Sequence, residues 1–243
     1  MTFNIYDSKE KLSEELASWM ADLINKTLQE QEFFTLALSG GETPQMLYKR
    51  LVSDSFQEKI DWKRVHIFWG DERAVPFDDD RNNAKIAFDN LINHIDISPA
   101  QVHKIRVDIE PVFAAKDYEK VLQTYFANTE RSFDLIILGV GEDGHTLSLF
   151  PGSPAIEETE HWVNPTYNEQ QKMYRITLMP SIVNKASHIV FMVTGKNKSE
   201  ILQRIIEGEY NPQILPAQII KPGKGELHWF LDKEAARKLS KTE

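Results

Sequence analysis

Residues 133–146 read FDLIILGVGEDGHT. An apolar run from Phe133 to Val140 breaks into a turn with three glycines, Gly139, Gly141 and Gly144, and His145 closes it. A short apolar run bounded by turn residues marks a strand buried on both faces. Strands of that kind belong mainly to parallel sheets under helices. In such sheets ligands sit beyond the carboxyl ends of the strands. This stretch therefore predicts both a fold class and the position of a site.

The same pattern recurs on either side. Phe33 to Leu38, Val65 to Trp69, Met173 to Met179, His188 to Val193 and Leu227 to Leu231 read as further strands, with a weaker one over Val102 to Ile105. Between them lie helical spacings. Leu12, Leu16, Met20, Leu23, Ile24 and Leu28 fall at three- and four-residue steps, which predicts a helix over about 8–30. Further helices are predicted after residue 43, with Thr43 as N-cap and Pro44 at the first helical position, and over about 82–93, 111–127, 197–207 and 233–240. Alternating strands and helices give an α/β fold, a Rossmann-like, mostly parallel sheet flanked by helices on both faces. No repeat or linker divides the chain, so residues 1–243 are expected to form a single α/β domain, with 208–225 as a long surface loop.

Three more segments place polar residues at strand ends. Ser39-Gly40-Gly41-Glu42-Thr43-Pro44 joins a strand to a helix start, where glycines and free amides suit an anion. Gly70-Asp71-Glu72-Arg73 sets an acid and a fixed cation just past a strand. Thr194-Gly195-Lys196-Asn197-Lys198 sets two lysines at a helix start. His145 carries the side chain whose free pKa, roughly 6.5, best suits general-base work near neutrality. Each segment also has a plain alternative: a capped turn, a salt-bridged loop, a solvated basic turn, a histidine in a glycine bend.

Composition removes whole classes. Lys+Arg 28 against Asp+Glu 37 leaves −9, which argues against a general nucleic-acid or anionic-membrane binder. Without cysteine, thiolate catalysis and cysteine-ligated metal are excluded. The remaining histidines, among them His66 and His103, show no HxH or HxxxH spacing, so no metal site is expected. No stretch approaches ~18 apolar residues, and the acidic start MTFNIYDSKEKLSEEL is unlike a signal peptide. A cytoplasmic protein with no membrane partner is the expectation.

Taken together, the segments resemble the 6-phosphogluconolactonase family of the oxidative pentose phosphate pathway. The matching stretches are LALSGGETP (36–44), WGDERAVP (69–76), Asn83, LGVGEDGHTLSLFPG (138–152), RITLMPSIVN (175–184), VTGKNKSEIL (193–202) and PAQIIKPGKGELHWFLDKEAA (216–236). They run along nearly the whole chain in the family's order. Two positions depart: Asn82 precedes Asn83 where the family usually has serine, and Leu147 stands where it usually has a small residue. The related glucosamine-6-phosphate deaminases typically carry Asp-Glu-Tyr where this chain has Asp71-Glu72-Arg73.

The resemblance implies the sugar-phosphate isomerase/deaminase-like superfamily fold and hydrolysis of 6-phospho-D-glucono-1,5-lactone. It implies His145 as base, Asp71 orienting the histidine or a sugar hydroxyl, and Arg73 serving the oxyanion or the phosphate. Ser39, Gly40, Gly41, Thr43, Gly144 and Lys198 would bind the substrate and its phosphate, with Lys198 preferred to Lys196 by the family's G-x-x-K spacing from Gly195. Arg175 would add a cation at the mouth. No cofactor or metal is implied, no nucleic acid, and the chain would act as a monomer or weak homodimer. The rivals are an isomerase or deaminase with Asp71 as base, and a non-catalytic sugar-phosphate sensor.

Overall fold

The computed structural model describes residues 1–240. In chain order the elements are β1 (Thr2–Tyr6), α1 (Lys9–Thr27), β2 (Phe34–Leu38), α2 (Glu42–Leu51), β3 (Val65–Trp69), β4 (Asp71–Arg73), α3 (Asn83–Asn90), α4 (Pro111–Phe126), β5 (Leu135–Leu138), β6 (Val163–Asn168), β7 (Met173–Leu178), α5 (Pro180–Val183), β8 (His188–Val193), α6 (Ser199–Glu207), β9 (Glu226–Asp232) and α7 (Lys233–Ala236), with short 3-10 turns between. Six strands form one sheet in the order β1-β9-β8-β5-β2-β3, every pair parallel. β2 and β5 are buried at every position. Successive strand residues point to opposite faces, so both faces of these strands are covered, as the continuous apolar runs predict. α1 supplies part of the cover: Ser8 caps it, its Oγ accepting from Lys11 N at 3.2 Å, and Leu12, Leu16, Met20 and Ile24 are fully buried.

The strand order reverses direction between β2 and β5: β3 follows outward from β2 on one side, and β8 and β9 follow from β5 on the other. That switch point leaves a crevice past the carboxyl ends of the two central strands.

A second sheet, β4-β7-β6, is antiparallel. Gly70 is its joint to the first: its N–H donates to Leu38 O of β2, and its C=O accepts from Leu178 N of β7, each at 2.9 Å. The strand expected from Met173 is therefore not part of the parallel sheet. Val102 makes only an isolated bridge to Ile67, not a strand. The stretch 208–225 is a surface loop at its two ends but not at its centre. Leu215, Ala217 and Ile220 lie in the core, and Gln218 Nε2 donates to the carbonyls of Arg204, Ile205 and Glu209 at the end of α6. One buried amide side chain does there what a regular element would otherwise do.

Candidate active site

Past the carboxyl end of β2, Gly41 takes φ +101° and α2 starts at Glu42, with no side chain capping it. Thr43 is thus inside the helix rather than its N-cap, and its Oγ1 lies 3.2 Å from Thr194 Oγ1. Past β5, Thr146 Oγ1 donates to Gly139 O and Gly141 N to His145 O, at 2.8 Å each, folding the turn back on itself. A Cβ at Gly141 would lie 2.1 Å from His145 Nδ1, so only glycine lets the ring settle there.

His145 Nδ1 is 2.5 Å from Asp143 Oδ1, which also accepts from His145 N at 3.1 Å. A carboxylate only accepts, so Nδ1 carries the proton and Nε2 keeps a free lone pair. Burial works to raise the Asp143 carboxyl, and the contacts from His145 together outweigh it, holding it below its ordinary range. The residue that orients the imidazole is therefore Asp143, which the sequence reading passes over although the Asp-x-His spacing is visible.

Asp71 is engaged elsewhere. Its Oδ2 accepts from Ser148 Oγ at 2.5 Å and its Oδ1 from Asn83 Nδ2 at 3.2 Å, with Arg175 Nη1 at 3.6 Å. Ser148, Asn83 and Asp71 are all buried. Glu72, buried beneath, accepts from the backbone amides of Arg73, Asn83 and Ala84 at 2.7–2.8 Å and so ties β4 to the start of α3. Burial pushes its pKa up to about 7 against those three hydrogen bonds.

Arg73 and Arg175 stand directly opposite each other across β4 and β7. Arg73 Nη1 donates to Arg81 O and Arg175 Nη2 to Gln171 Oε1, each at 2.5 Å. Burial lowers the Arg175 pKa most, Asp71 opposes that, and Arg73 adds to it. Lys198, half-buried, is likewise pulled down by burial while Glu142 and Asp143 pull it up.

These groups meet. Ser39, Gly40, Asp71, Arg73, His145, Arg175 and Lys198 line one cavity of about 260 Å³, together with Asn83, Leu147 and Gln171. A second cavity of about 370 Å³ is lined by Gly41, Thr43, Thr194 and Asn197, and shares Gly40, Gly139, Val140 and Lys198 with the first. Gly144 lines neither. At φ +87° it packs on Leu215, whose Cδ2 a Cβ would meet at 2.9 Å, so it shapes the turn instead of the substrate surface. Leu147 sits at φ +56°, an uncommon conformation for a branched residue, with Ser148 and its bond to Asp71 directly after it. Among the described residues no cluster of three or more His, Asp or Glu could hold a metal ion, and no helix is long and apolar enough to cross a membrane.

An imidazole oriented by a carboxylate, two arginines lining the same cavity and an uncapped helix start beside a lysine make the rim of an α/β enzyme for a small anionic substrate. Comparison with known proteins narrows that class. The profile described as glucosamine-6-phosphate isomerases/6-phosphogluconolactonase matches residues 7–229. A Synechocystis protein named 6-phosphogluconolactonase is 36% identical over 236 residues, covering 96% of this chain and 95% of its own. An Arabidopsis thaliana protein, 6-phosphogluconolactonase 3, chloroplastic, is 36% identical over 97% of this chain and 74% of its own. The solved 6-phosphogluconolactonase from Trypanosoma cruzi superposes with a TM-score of 0.85 at 28% identity, over 99% of this chain and 97% of that one. The chain belongs to the glucosamine-6-phosphate isomerase/6-phosphogluconolactonase family.

Proposed function

We propose that this protein hydrolyses 6-phospho-D-glucono-1,5-lactone to 6-phospho-D-gluconate, the second step of the oxidative pentose phosphate pathway. The observation that carries the reading is the His145 imidazole, held by Asp143, opening on the same cavity as Arg73, Arg175 and Lys198. His145 Nε2 takes a proton from water as its oxygen adds to the lactone carbonyl carbon. The C–O bond to the ring oxygen then breaks, and His145 returns the proton to that oxygen. Asp143 stabilises the imidazolium that forms between the two transfers. Arg73, which lines the first cavity with the imidazole, neutralises the tetrahedral oxyanion, and Arg175 adds charge from across the small sheet.

The phosphate sits in the adjoining cavity, on the first turn of α2 at Gly41 and Thr43, with Gly40 shared by the two cavities, Ser39 on the first cavity's side and Lys198 supplying charge. Asp71, with both carboxyl oxygens taken by Asn83 and Ser148, anchors the cavity floor. Water addition to an ester needs only proton transfer and charge neutralisation, so the mechanism uses neither metal nor cofactor. A monomer or weak homodimer as the catalytic unit is part of the same proposal. A cytoplasmic location is part of the same proposal, as is the absence of a nucleic-acid partner.

The test is a coupled assay of lactone decay, since the lactone also opens unaided. Wild-type protein is expected to accelerate decay far above background. Decay at the background rate, or ammonia release from glucosamine 6-phosphate instead, would overturn the reading.

A further inference from the structure

The C-terminal stretch around Asp232 takes no part in the chemistry above, yet it reaches the same rim. Asp232 ends β9 and is buried at 7% exposure. Both its carboxyl oxygens accept from Gly195 N, each at 3.0 Å, and Oδ1 accepts from Ala235 N at 2.7 Å. Gly195 takes φ +97° and opens the turn Lys196–Lys198. On its other side that turn is tied to the catalytic loop by Asn197 Nδ2, which donates to Glu142 Oε1 at 2.6 Å. A lysine is a point charge on a flexible stem, so its hold on an anion depends on where its backbone is fixed. The buried carboxylate fixes it. Charge-assisted bonds of this kind are roughly twice as strong as neutral ones.

We infer that Asp232 is a positioning residue for phosphate recognition: through Gly195 it holds the turn that presents Lys198, and so sets affinity for a phosphorylated substrate without touching it. The inference rests on the proposed function, specifically on a phosphate beside Lys198.

The test compares 6-phosphogluconolactone with unphosphorylated glucono-1,5-lactone, and adds inorganic phosphate as a competitor. Asp232→Ala is expected to raise KM for the phosphorylated lactone, and Ki for phosphate, by about 5- to 50-fold. Its kcat should stay within about 3-fold of wild type, as should kcat/KM on the unphosphorylated lactone. Asp232→Asn keeps one accepting oxygen, and with it the bond to Ala235 N, so it should give a smaller rise, about 2- to 5-fold. It also serves if the alanine variant does not fold. Equal losses on both lactones would show a merely structural residue, and an unchanged Ki for phosphate in Asp232→Asn would overturn the inference. Lys198→Ala separates the two layers. If it leaves the preference for the phosphorylated lactone intact, the phosphate assignment falls and takes the inference with it. If it abolishes that preference while Asp232→Ala does not, only the inference falls.

Discussion

The two ends of the parallel sheet treat polar side chains in opposite ways. At the amino end, Thr35 and Asp134 close on each other: Thr35 N and Oγ1 both donate to Asp134 Oδ2 at 2.8 Å, and Asp134 N donates back to Thr35 Oγ1 at 2.9 Å. On β3 nearby, His66 Nδ1 lies 3.2 Å from His103 Nε2, with Tyr125 Oη 2.9 Å from both. Burial, with a smaller push from His66, drives the His103 pKa down to about 4. At the carboxyl end, Arg73 Nε, Arg175 Nε and Asn83 Oδ1 are buried without a partner. A buried polar atom left unmatched costs about 1–3 kcal/mol. Trp62 Nε1 at the amino end is also buried without a partner, but the three unmatched groups at the carboxyl end all belong to residues lining the one cavity. A histidine is therefore informative only with its partner: His103 meets rings, and His145 meets a carboxylate that leaves its far nitrogen free.

Four substitutions test that contrast. His145→Ala should lower kcat by about 10²–10⁴-fold, the usual worth of a general base, with KM within a few-fold. A near wild-type kcat would remove His145 from the chemistry. Gly141→Ala puts a methyl group where the ring lies, so kcat should fall by about 10- to 100-fold because small misplacements of a base are costly. Steady-state rates with a melting curve distinguish this from unfolding. Thr35→Val, at the other end, should cost about 1–3 kcal/mol of stability in denaturant titration and leave kcat within about 2-fold. A large loss of kcat there would mean the two ends are not separate.

The smallest effect concerns pH. Glu72 has a folded pKa of about 7 against an ordinary value of 4.5. Its contribution to stability is thus full below pH 4.5 and is lost as pH rises to about 7. Glu72→Gln should flatten the decline of stability across that window. A slope equal to wild type would show that the carboxyl titrates normally.

Much of this was legible in the residues. β2, β3, β5 and β8 announce themselves because strands covered on both faces must be apolar throughout. β6 is silent because Pro165 interrupts it, which an edge strand tolerates, and β6 pairs only with β7. β4 is three residues, Asp-Glu-Arg, with no apolar signature, and its pairing depends on a partner about a hundred residues away. The glycine turns point to the rim, but no local pattern separates Gly141, which clears the imidazole, from Gly144, which packs on Leu215. Nor does spacing show that Asp71 turns to Ser148 and leaves His145 to Asp143. Those choices are made by tertiary contact.

The register that sets Arg73 opposite Arg175 has a thermodynamic price tag of its own. Like charges directly across a strand pair repel, and here the nearest counter-charge to Arg175 is Asp71 at 3.6 Å. An anion that engages both arginines offsets that repulsion and so strengthens the small sheet. Unfolding temperature becomes a gauge of occupancy: at a hundred times Kd, the product should stabilise the fold by about 2.7 kcal/mol.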